Sequence, residues 1–349
     1  MEKSVIQSLQ VFRGLSALAV VAHHAAVATD AFVENIPAAW LKALDLGAFG
    51  VDFFFVLSGF IIMHAHVHES GKTSSIRPYL YKRLTRIFPA YWPVGLALLG
   101  LYAALPSLSA SGGREYSYLS SILLLPANLP PALSVAWTLV HELMFYALFM
   151  LWFVSRRVFW LGLAVWVLAI IIDESTDSTV GWLRYPFSLL NIEFMLGVLT
   201  ALAYTRFRFI RLSVAMILAG VLLASLTLLF LYLDAISAKG RLLFALGLAV
   251  MLLGLASHER KQRIKWPTVL LTLGNASYSI YLIHNPMLSF TQRIAGRLDF
   301  SWPTGLIAGI LASTILGYVY FQVVERIVLQ RLRNFQPLQF QITKPTIRI

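Results

Sequence analysis

The sequence predicts an all-α integral membrane protein, folded as a single bundle of about ten transmembrane helices. Two properties of the composition lead to this fold class. Of the 349 residues, 58% are hydrophobic and 13% are charged, and the mean hydropathy is +0.74. Soluble proteins contain roughly 25% charged residues, so this chain has too little charge to cover a globule of 39 kDa. The composition therefore excludes a soluble enzyme and a disordered chain.

A third observation is a series of apolar segments, each about 17–25 residues long, which is the length that crosses a bilayer. The segments occupy residues 9–29, 47–67, 87–105, 136–155, 157–173, 185–205, 209–232, 241–257, 269–290 and 304–328. No repeat of fixed period and no low-complexity linker interrupts the series. We therefore expect one transmembrane domain over residues 1–335, followed by a short polar cytoplasmic tail at residues 336–349.

The connecting segments differ in their content of basic residues. With the N-terminus inside, 20 of the 28 Lys and Arg residues fall in cytoplasmic segments and 7 in outer segments. The positive-inside rule then predicts that both termini are cytoplasmic. The net charge of +12 is assigned mainly to this face, where it would contact anionic lipid, and nucleic-acid binding is not expected. The absence of cysteine excludes disulfides, thiolate metal sites and a cysteine nucleophile.

The first apolar segment contains Arg13, His23 and His24, which are costly in hydrocarbon and usually face a bundle interior. Arg13 and His24 are eleven residues apart, so on a helix they differ in direction by about 20° and in height by about 16 Å. His23 points about 80° away from that face. A long anionic ligand could be held by its charge at Arg13 while its reactive end lies at His24. The alternative for Arg13 is that it reaches the lipid headgroups.

Arg83 and Arg86 form an i, i+3 pair at the cytoplasmic edge of the third segment. Two guanidinium groups on one helix face suit phosphate groups. The alternative is that they are ordinary basic residues at a cytoplasmic helix end.

The fourth segment begins with Trp137 and carries Thr138, Glu142 and Tyr146 at i, i+4 and i+8, on one helix face. A buried carboxylate at Glu142 could accept a proton, orient an imidazole or bind a sugar hydroxyl. The alternative is a hydrogen bond between helices.

The ninth segment carries a polar stripe made of Ser277, Tyr281 and His284. The stripe has hydrogen-bonding capacity but does not form a recognisable catalytic triad. The sequence contains no set of metal ligands with a known spacing. It also lacks a nucleophile elbow and a phosphate-binding loop. We therefore predict no metal.

These residues together resemble a known family, the membrane-bound acyltransferase family 3, and within it the bacterial surface-polysaccharide O-acetyltransferases. The resemblance extends over about residues 7–330. The matching features are Arg13 with His24, residues 50–60 including Asp52 and Ser58, Arg83 with Arg86, Trp137-Thr138-Leu139 with Glu142, residues 274–284, and Val324-Glu325-Arg326.

The resemblance implies an acyltransferase of the bacterial inner membrane that uses cytoplasmic acyl-coenzyme A, expected to be acetyl-coenzyme A, as co-substrate. The acceptor would be a hydroxyl of an exopolysaccharide, a lipopolysaccharide or a lipid-linked glycan, and polysaccharide assembly proteins are candidate partners. We predict that His24 and Glu142 are catalytic and that the donor's phosphates contact Arg13, Arg83 and Arg86. The predicted substrate-binding or supporting residues are Asp52, Ser58, Trp137, Ser277, Tyr281 and His284.

Two other classes of function compete with this interpretation. A secondary transporter of glycan precursors would place acidic residues in the membrane and would show inverted repeats with broken helices, which the sequence does not contain. A structural subunit of an assembly complex would tolerate the loss of His24. The sequence leaves open whether His24 is a general base or carries the acyl group itself, and which group stabilises the oxyanion.

Overall fold

The computed structural model describes residues 6–105, 115–176, 180–237, 240–262 and 264–334. The predicted tail at residues 336–349 lies outside these ranges. The described residues are all-helical and contain no strand, which confirms the predicted class. They form α1 (Gln7–Phe32), α2 (Ala38–Asp45), α3 (Gly50–His66), α4 (Ile76–Ala104), α5 (Tyr118–Leu123), α6 (Trp137–Val154), α7 (Arg156–Thr176), α8 (Leu190–Arg206), α9 (Ser213–Tyr232), α10 (Arg241–Glu259), α11 (Thr268–Arg297), α12 (Trp302–Tyr320) and α13 (Arg326–Asn334).

Seven stretches of the described chain are long and apolar enough to cross a membrane. They comprise α1, α2 with α3, α4, α6, α9, α10, and α12 with α13. Each of the ten segments predicted from the sequence falls on a helix, the other three on α7, α8 and α11. A membrane protein with several spanning helices follows from these lengths, and the exact count of ten stays a prediction.

Proline and acidic side chains mark the ends of several helices. Pro37 and Pro267 immediately precede α2 and α11. The first turn of α1 has no side-chain cap from its own N-cap residue. Instead Glu259, at the end of α10, accepts hydrogen bonds from the backbone N–H groups of Gln7 at 2.7 Å and Ser8 at 2.8 Å. A carboxylate is favourable there because the first N–H groups of a helix have no partner within it.

The helices group into two compact units. The first is built from the described parts of Met1–Ala65 and Ile192–Phe321, and the second from those of His66–Asn191 and Gln322–Thr343. In the first unit α1 packs along α11 and α12, and α9 packs against α10. In the second unit α4 packs against α5, α6 and α13, and α6 packs against α7.

Glycines bring two helix pairs of the first unit into close contact. A Cβ atom added to Gly14 on α1 would lie 2.8 Å from the backbone nitrogen of Gly274 on α11. A Cβ atom on Gly59 of α3 would collide with the carbonyl group of Phe194 on α8. Small residues of this kind allow membrane helices to approach closely, and both pairs carry candidate site residues.

The second unit has an aromatic core. The rings of Tyr79, Phe149 and Phe153 lie within 5.8 Å of one another, centroid to centroid. The indole N–H of Trp152 donates to the carbonyl oxygen of His66 at 2.9 Å. Tyr91 on α4 donates to the carbonyl oxygen of Ser121 on α5 at 2.6 Å. These bonds satisfy the polar ends of large rings that would otherwise be costly to bury.

Candidate active site

Helix α1 is continuous from Gln7 to Phe32, so the predicted shared face of Arg13 and His24 rests on an unbroken helix. Arg13 is only 9% exposed, and its guanidinium donates to the side-chain oxygen of Gln10 at 3.2 Å. The side chain is therefore enclosed by protein, which argues against the alternative that it reaches lipid headgroups.

His24 contacts a second histidine from α11. The Nδ1 atom of His24 lies 3.2 Å from Nε2 of His284 and 3.1 Å from the carbonyl oxygen of Val20. His284 is fully buried, and its Nδ1 donates to the carbonyl oxygen of Tyr281 at 2.6 Å. The two histidines belong to separate sequence motifs, and the structure brings them together across 260 residues.

His23 has different neighbours from His24, as their directions on the helix predict. Its Nδ1 atom lies 3.1 Å from a carboxylate oxygen of Asp45, while the two imidazole centroids are 4.7 Å apart. Thus the adjacent histidines of α1 can be tested separately.

The other members of the predicted stripe on α11 also lie inside the first unit. Ser277 is fully buried, and within the described residues its hydroxyl has no hydrogen-bond partner. The ring of Tyr281 lies 5.5 Å from that of His284 and 6.0 Å from that of Phe54.

A buried ion cluster lies at the start of α3, α8 and α10. Arg241 donates two hydrogen bonds to the fully buried Asp52, Nε to Oδ1 at 3.0 Å and Nη2 to Oδ2 at 2.8 Å. Glu193 is also fully buried, and its Oε1 lies 3.6 Å from Nε of Arg241. Asp52 is a candidate from the sequence, whereas Arg241 is one of the seven basic residues of the predicted outer segments, because no local pattern links positions 189 residues apart. Ser58 lies further along α3 and is half-buried.

In the second unit Glu142 contacts the residue one turn later, as predicted. The hydroxyl of Tyr146 donates to Oε1 of Glu142. The guanidinium of Arg83 lies 5.7 Å from the ring centroid of Tyr79 and 5.6 Å from that of Tyr146, which is within cation–π range. Thus Glu142 and Arg83 meet the same aromatic side chain. Trp137, at the start of α6, packs edge-on against His141.

Arg86 has surroundings unlike those of Arg83. Its Nη1 lies 3.1 Å from Oε1 of Glu325, which is fully buried in the π-helical turn between α12 and α13. The two arginines predicted as an equivalent pair therefore differ: one packs on tyrosine rings, and the other forms an ion pair. In the part of the chain that the structure describes, no group of three or more His, Asp or Glu residues could hold a metal ion.

Comparison with known proteins places this arrangement in a family. Residues 6–322 match the acyltransferase domain of the acyltransferase 3 family. The chain belongs to this family. Membership of this family makes the protein an acyltransferase. The transporter and the structural subunit are therefore no longer competing interpretations. No solved structure matches the chain significantly.

Several named proteins are similar in sequence to this chain. The exopolysaccharide production protein ExoZ of Rhizobium meliloti is 30% identical over 82% of this chain and 91% of its own length. The acyltransferase MdmB of Streptomyces mycarofaciens is 26% identical over 95% of the chain and 94% of its own length. The peptidoglycan O-acetyltransferase OatA of Listeria monocytogenes is 24% identical over 93% of the chain, which spans 56% of that protein.

Proposed function

We propose that this acyltransferase moves an acyl group, specifically acetyl, from cytoplasmic acyl-coenzyme A to a hydroxyl group of a surface glycan. The acceptor class comprises exopolysaccharide, lipopolysaccharide and lipid-linked glycan, and the location is the bacterial inner membrane. The designations of ExoZ and OatA support a polysaccharide acceptor. The observation that carries the proposal is the buried Arg13 on the same α1 face as His24, in a chain of this family.

The proposed topology has ten crossings with both termini in the cytoplasm. Alternating crossings require helices of equal parity to run parallel. Contacts at Gly14–Gly274 and at His24–His284 make α1 and α11, the first and ninth segments, parallel. Ring contacts at Phe55–Phe194 and at His64–Tyr204 make α3 and α8, the second and sixth segments, parallel. These directions support the proposed alternation.

In the proposed reaction His24 is the general base. As the acceptor hydroxyl attacks the thioester carbonyl, His24 takes the hydroxyl proton. The tetrahedral intermediate then breaks its C–S bond, and the departing thiolate takes that proton from the imidazolium. The products are an O-acyl ester and free coenzyme A, with the histidine restored. Arg13 would hold a phosphate of the donor, about 16 Å of helix rise away from the base.

Within the second unit, Glu142 and Arg83 have proposed roles of their own. The carboxylate of Glu142 is proposed as the second catalytic group, and Arg83 with Arg86 as donor phosphate ligands. The contact of Glu142 and Arg83 with the same tyrosine, Tyr146, supports a joint role. Asp52, Ser58, Trp137, Ser277 and Tyr281 are proposed as supporting residues.

The test is acyl transfer by purified protein in lipid nanodiscs, with radiolabelled acetyl-coenzyme A and a panel of bacterial glycans. The wild-type protein is expected to label at least one glycan. His24→Ala should lower kcat by about 10²–10⁴-fold, the usual contribution of a general base. His23→Ala is the matched control, because it removes the adjacent imidazole and its Asp45 contact, and it should retain most activity. No labelled glycan with the wild-type protein, or wild-type rates in both variants, would contradict the proposal.

A further inference from the structure

The histidine pair of α1 and α11 forms a hydrogen-bond chain whose direction is set by a carbonyl group. The Nδ1 atom of His284 lies 2.6 Å from the carbonyl oxygen of Tyr281. A carbonyl oxygen can only accept, so Nδ1 of His284 carries the proton. A neutral imidazole has one N–H, and Nε2 of His284 is therefore an acceptor.

The position of the proton on His24 follows in the same way. Its Nδ1 faces two acceptors, Nε2 of His284 at 3.2 Å and the carbonyl oxygen of Val20 at 3.1 Å. A bare nitrogen at this position would set lone pair against lone pair on both sides, so Nδ1 of His24 carries its proton. The lone pair of His24 then lies on Nε2. Among the described residues none forms a hydrogen bond with that Nε2 atom.

We infer that His284 is a positioning residue that holds His24 in its Nδ1–H tautomer, so that Nε2 of His24 is the atom that reacts with substrate. The inference rests on the proposed function of His24 as general base. His284 would take the part that a carboxylate has in a Ser-His-Asp triad, where an acceptor fixes the tautomer and steadies the imidazolium. It does so without adding a buried charge, because both imidazoles are neutral before reaction.

The packing beneath the pair keeps the two rings in place. Ala17 and Val21 on α1 and Ala276 and Ile280 on α11 form one fully buried apolar cluster. Val21 lies one turn before His24, and Ile280 lies one turn before His284. Rotation of either helix would have to disrupt this cluster, so the two imidazoles are held near hydrogen-bonding distance before any substrate binds.

During the reaction the chain of bonds stays balanced. The acceptor's O–H bond breaks and an Nε2–H bond forms on His24, which becomes an imidazolium. Its Nδ1–H then donates a charge-assisted bond to Nε2 of His284, and such bonds are about twice as strong as neutral ones. The thiolate of the donor removes the Nε2 proton. His284 accepts the same hydrogen bond throughout and is not consumed.

Two variants at position 284 separate a positioning role from a packing role. His284→Gln places an amide oxygen three bonds from Cβ, as Nε2 is, and can still accept from Nδ1 of His24. His284→Leu has similar bulk but no acceptor. We expect kcat to fall by about 10²-fold in His284→Leu and by about tenfold or less in His284→Gln. The KM for acetyl-coenzyme A should change little in either, because the lost interaction strengthens only in the transition state.

A spectroscopic measurement reads the tautomer without turnover. Solid-state NMR of ¹⁵N-histidine-labelled protein in nanodiscs distinguishes protonated from bare imidazole nitrogens. The difference from a His24→Gln spectrum isolates the His24 signals. We expect a protonated Nδ1 and a bare Nε2 in the wild type, and a shifted Nδ1 signal in His284→Leu.

Each outcome decides the inference. It is supported by the expected NMR assignment together with higher kcat in His284→Gln than in His284→Leu at equal thermal stability. It is overturned by a protonated Nε2 on His24, by wild-type kcat in His284→Leu, or by equal losses in the two stable variants. If the wild type transfers no acyl group, the proposed function fails, and the NMR assignment alone then decides the tautomer.

Discussion

Replacement of Arg241 by methionine should strongly destabilise the first unit. The guanidinium makes two hydrogen bonds, at 3.0 and 2.8 Å, to the carboxylate of Asp52, which has no solvent exposure. The equally buried Glu193 lies 3.6 Å away. Removal of the only described cation that contacts these two carboxylates leaves buried negative charge without compensation. Loss of one partner of a buried ion pair costs about 3–5 kcal/mol, and we expect that loss in the free energy of unfolding.

An exposed ion pair of the same unit is the matched control. Lys42 and Asp234 form a contact in which the side chains are 40% and 79% exposed, so Lys42→Met should cost only about 0–1 kcal/mol. Equilibrium unfolding in SDS mixed micelles, followed by tryptophan fluorescence, compares the two methionine variants. Adding Asp52→Asn to Arg241→Met should recover part of the loss. Equal stability of Arg241→Met and Lys42→Met would refute the reasoning about buried charge.

Three further predictions concern carboxylates and an arginine. Glu142→Gln should lower kcat by at least about 10²-fold yet change unfolding stability by less than about 1 kcal/mol, because the amide oxygen still accepts from Tyr146 and such membrane bonds average about 0.6 kcal/mol. Arg83→Ala should weaken acyl-coenzyme A binding by about 10–100-fold, the loss of one charge-assisted bond, and Arg83→Lys should rescue binding only partly because the planar fork is lost. Glu259→Ala should lower stability by about 2 kcal/mol, because the first turn of α1 loses its carboxylate cap.

Each of these three predictions is checked by its own measurement. Turnover and SDS unfolding together test Glu142→Gln, and full turnover would return Glu142 to a structural role. Isothermal titration with a non-hydrolysable acyl-coenzyme A analogue tests the Arg83 variants, and unchanged affinity would remove Arg83 from the donor site. If Glu259→Ala unfolds at the same SDS concentration as the wild type, water replaces the carboxylate cap without loss of stability.

Segment length and apolar content were enough to predict most of the fold. A run of apolar residues long enough to cross a bilayer must satisfy its backbone groups internally, and a helix does so. That is why all ten predicted segments fall on helices. The short helices α2 and α5 were not predicted, because eight and six residues are too few for a spanning signal. Helix α11 continues to Arg297, past the predicted end at 290, because its last turns are polar.

The sequence alone predicted only part of the candidate site. Helix periodicity predicted the contact between Glu142 and Tyr146, because residues four apart share a face. The His24–His284 contact, the Arg241–Asp52 pair and the Glu259 cap join residues 260, 189 and 251 positions apart. No periodic pattern encodes such distances. The signal available was the cost of each polar group in hydrocarbon, which predicts that a partner exists without saying which one.

The geometry of α1 and α11 explains why the histidine pair needs the glycine contact ten residues before it. Gly14 precedes His24 by ten residues, and Gly274 precedes His284 by the same number, so two parallel helices of equal rise meet at both levels about 15 Å apart. A slip of one residue would turn one helix face by about 100°. That turn would bring a Cβ atom against the partner's backbone at the glycine level and would separate the imidazoles at the histidine level. Close packing at Gly274 and the hydrogen bond at His284 therefore select the same register, and the tautomer of His24 depends on both.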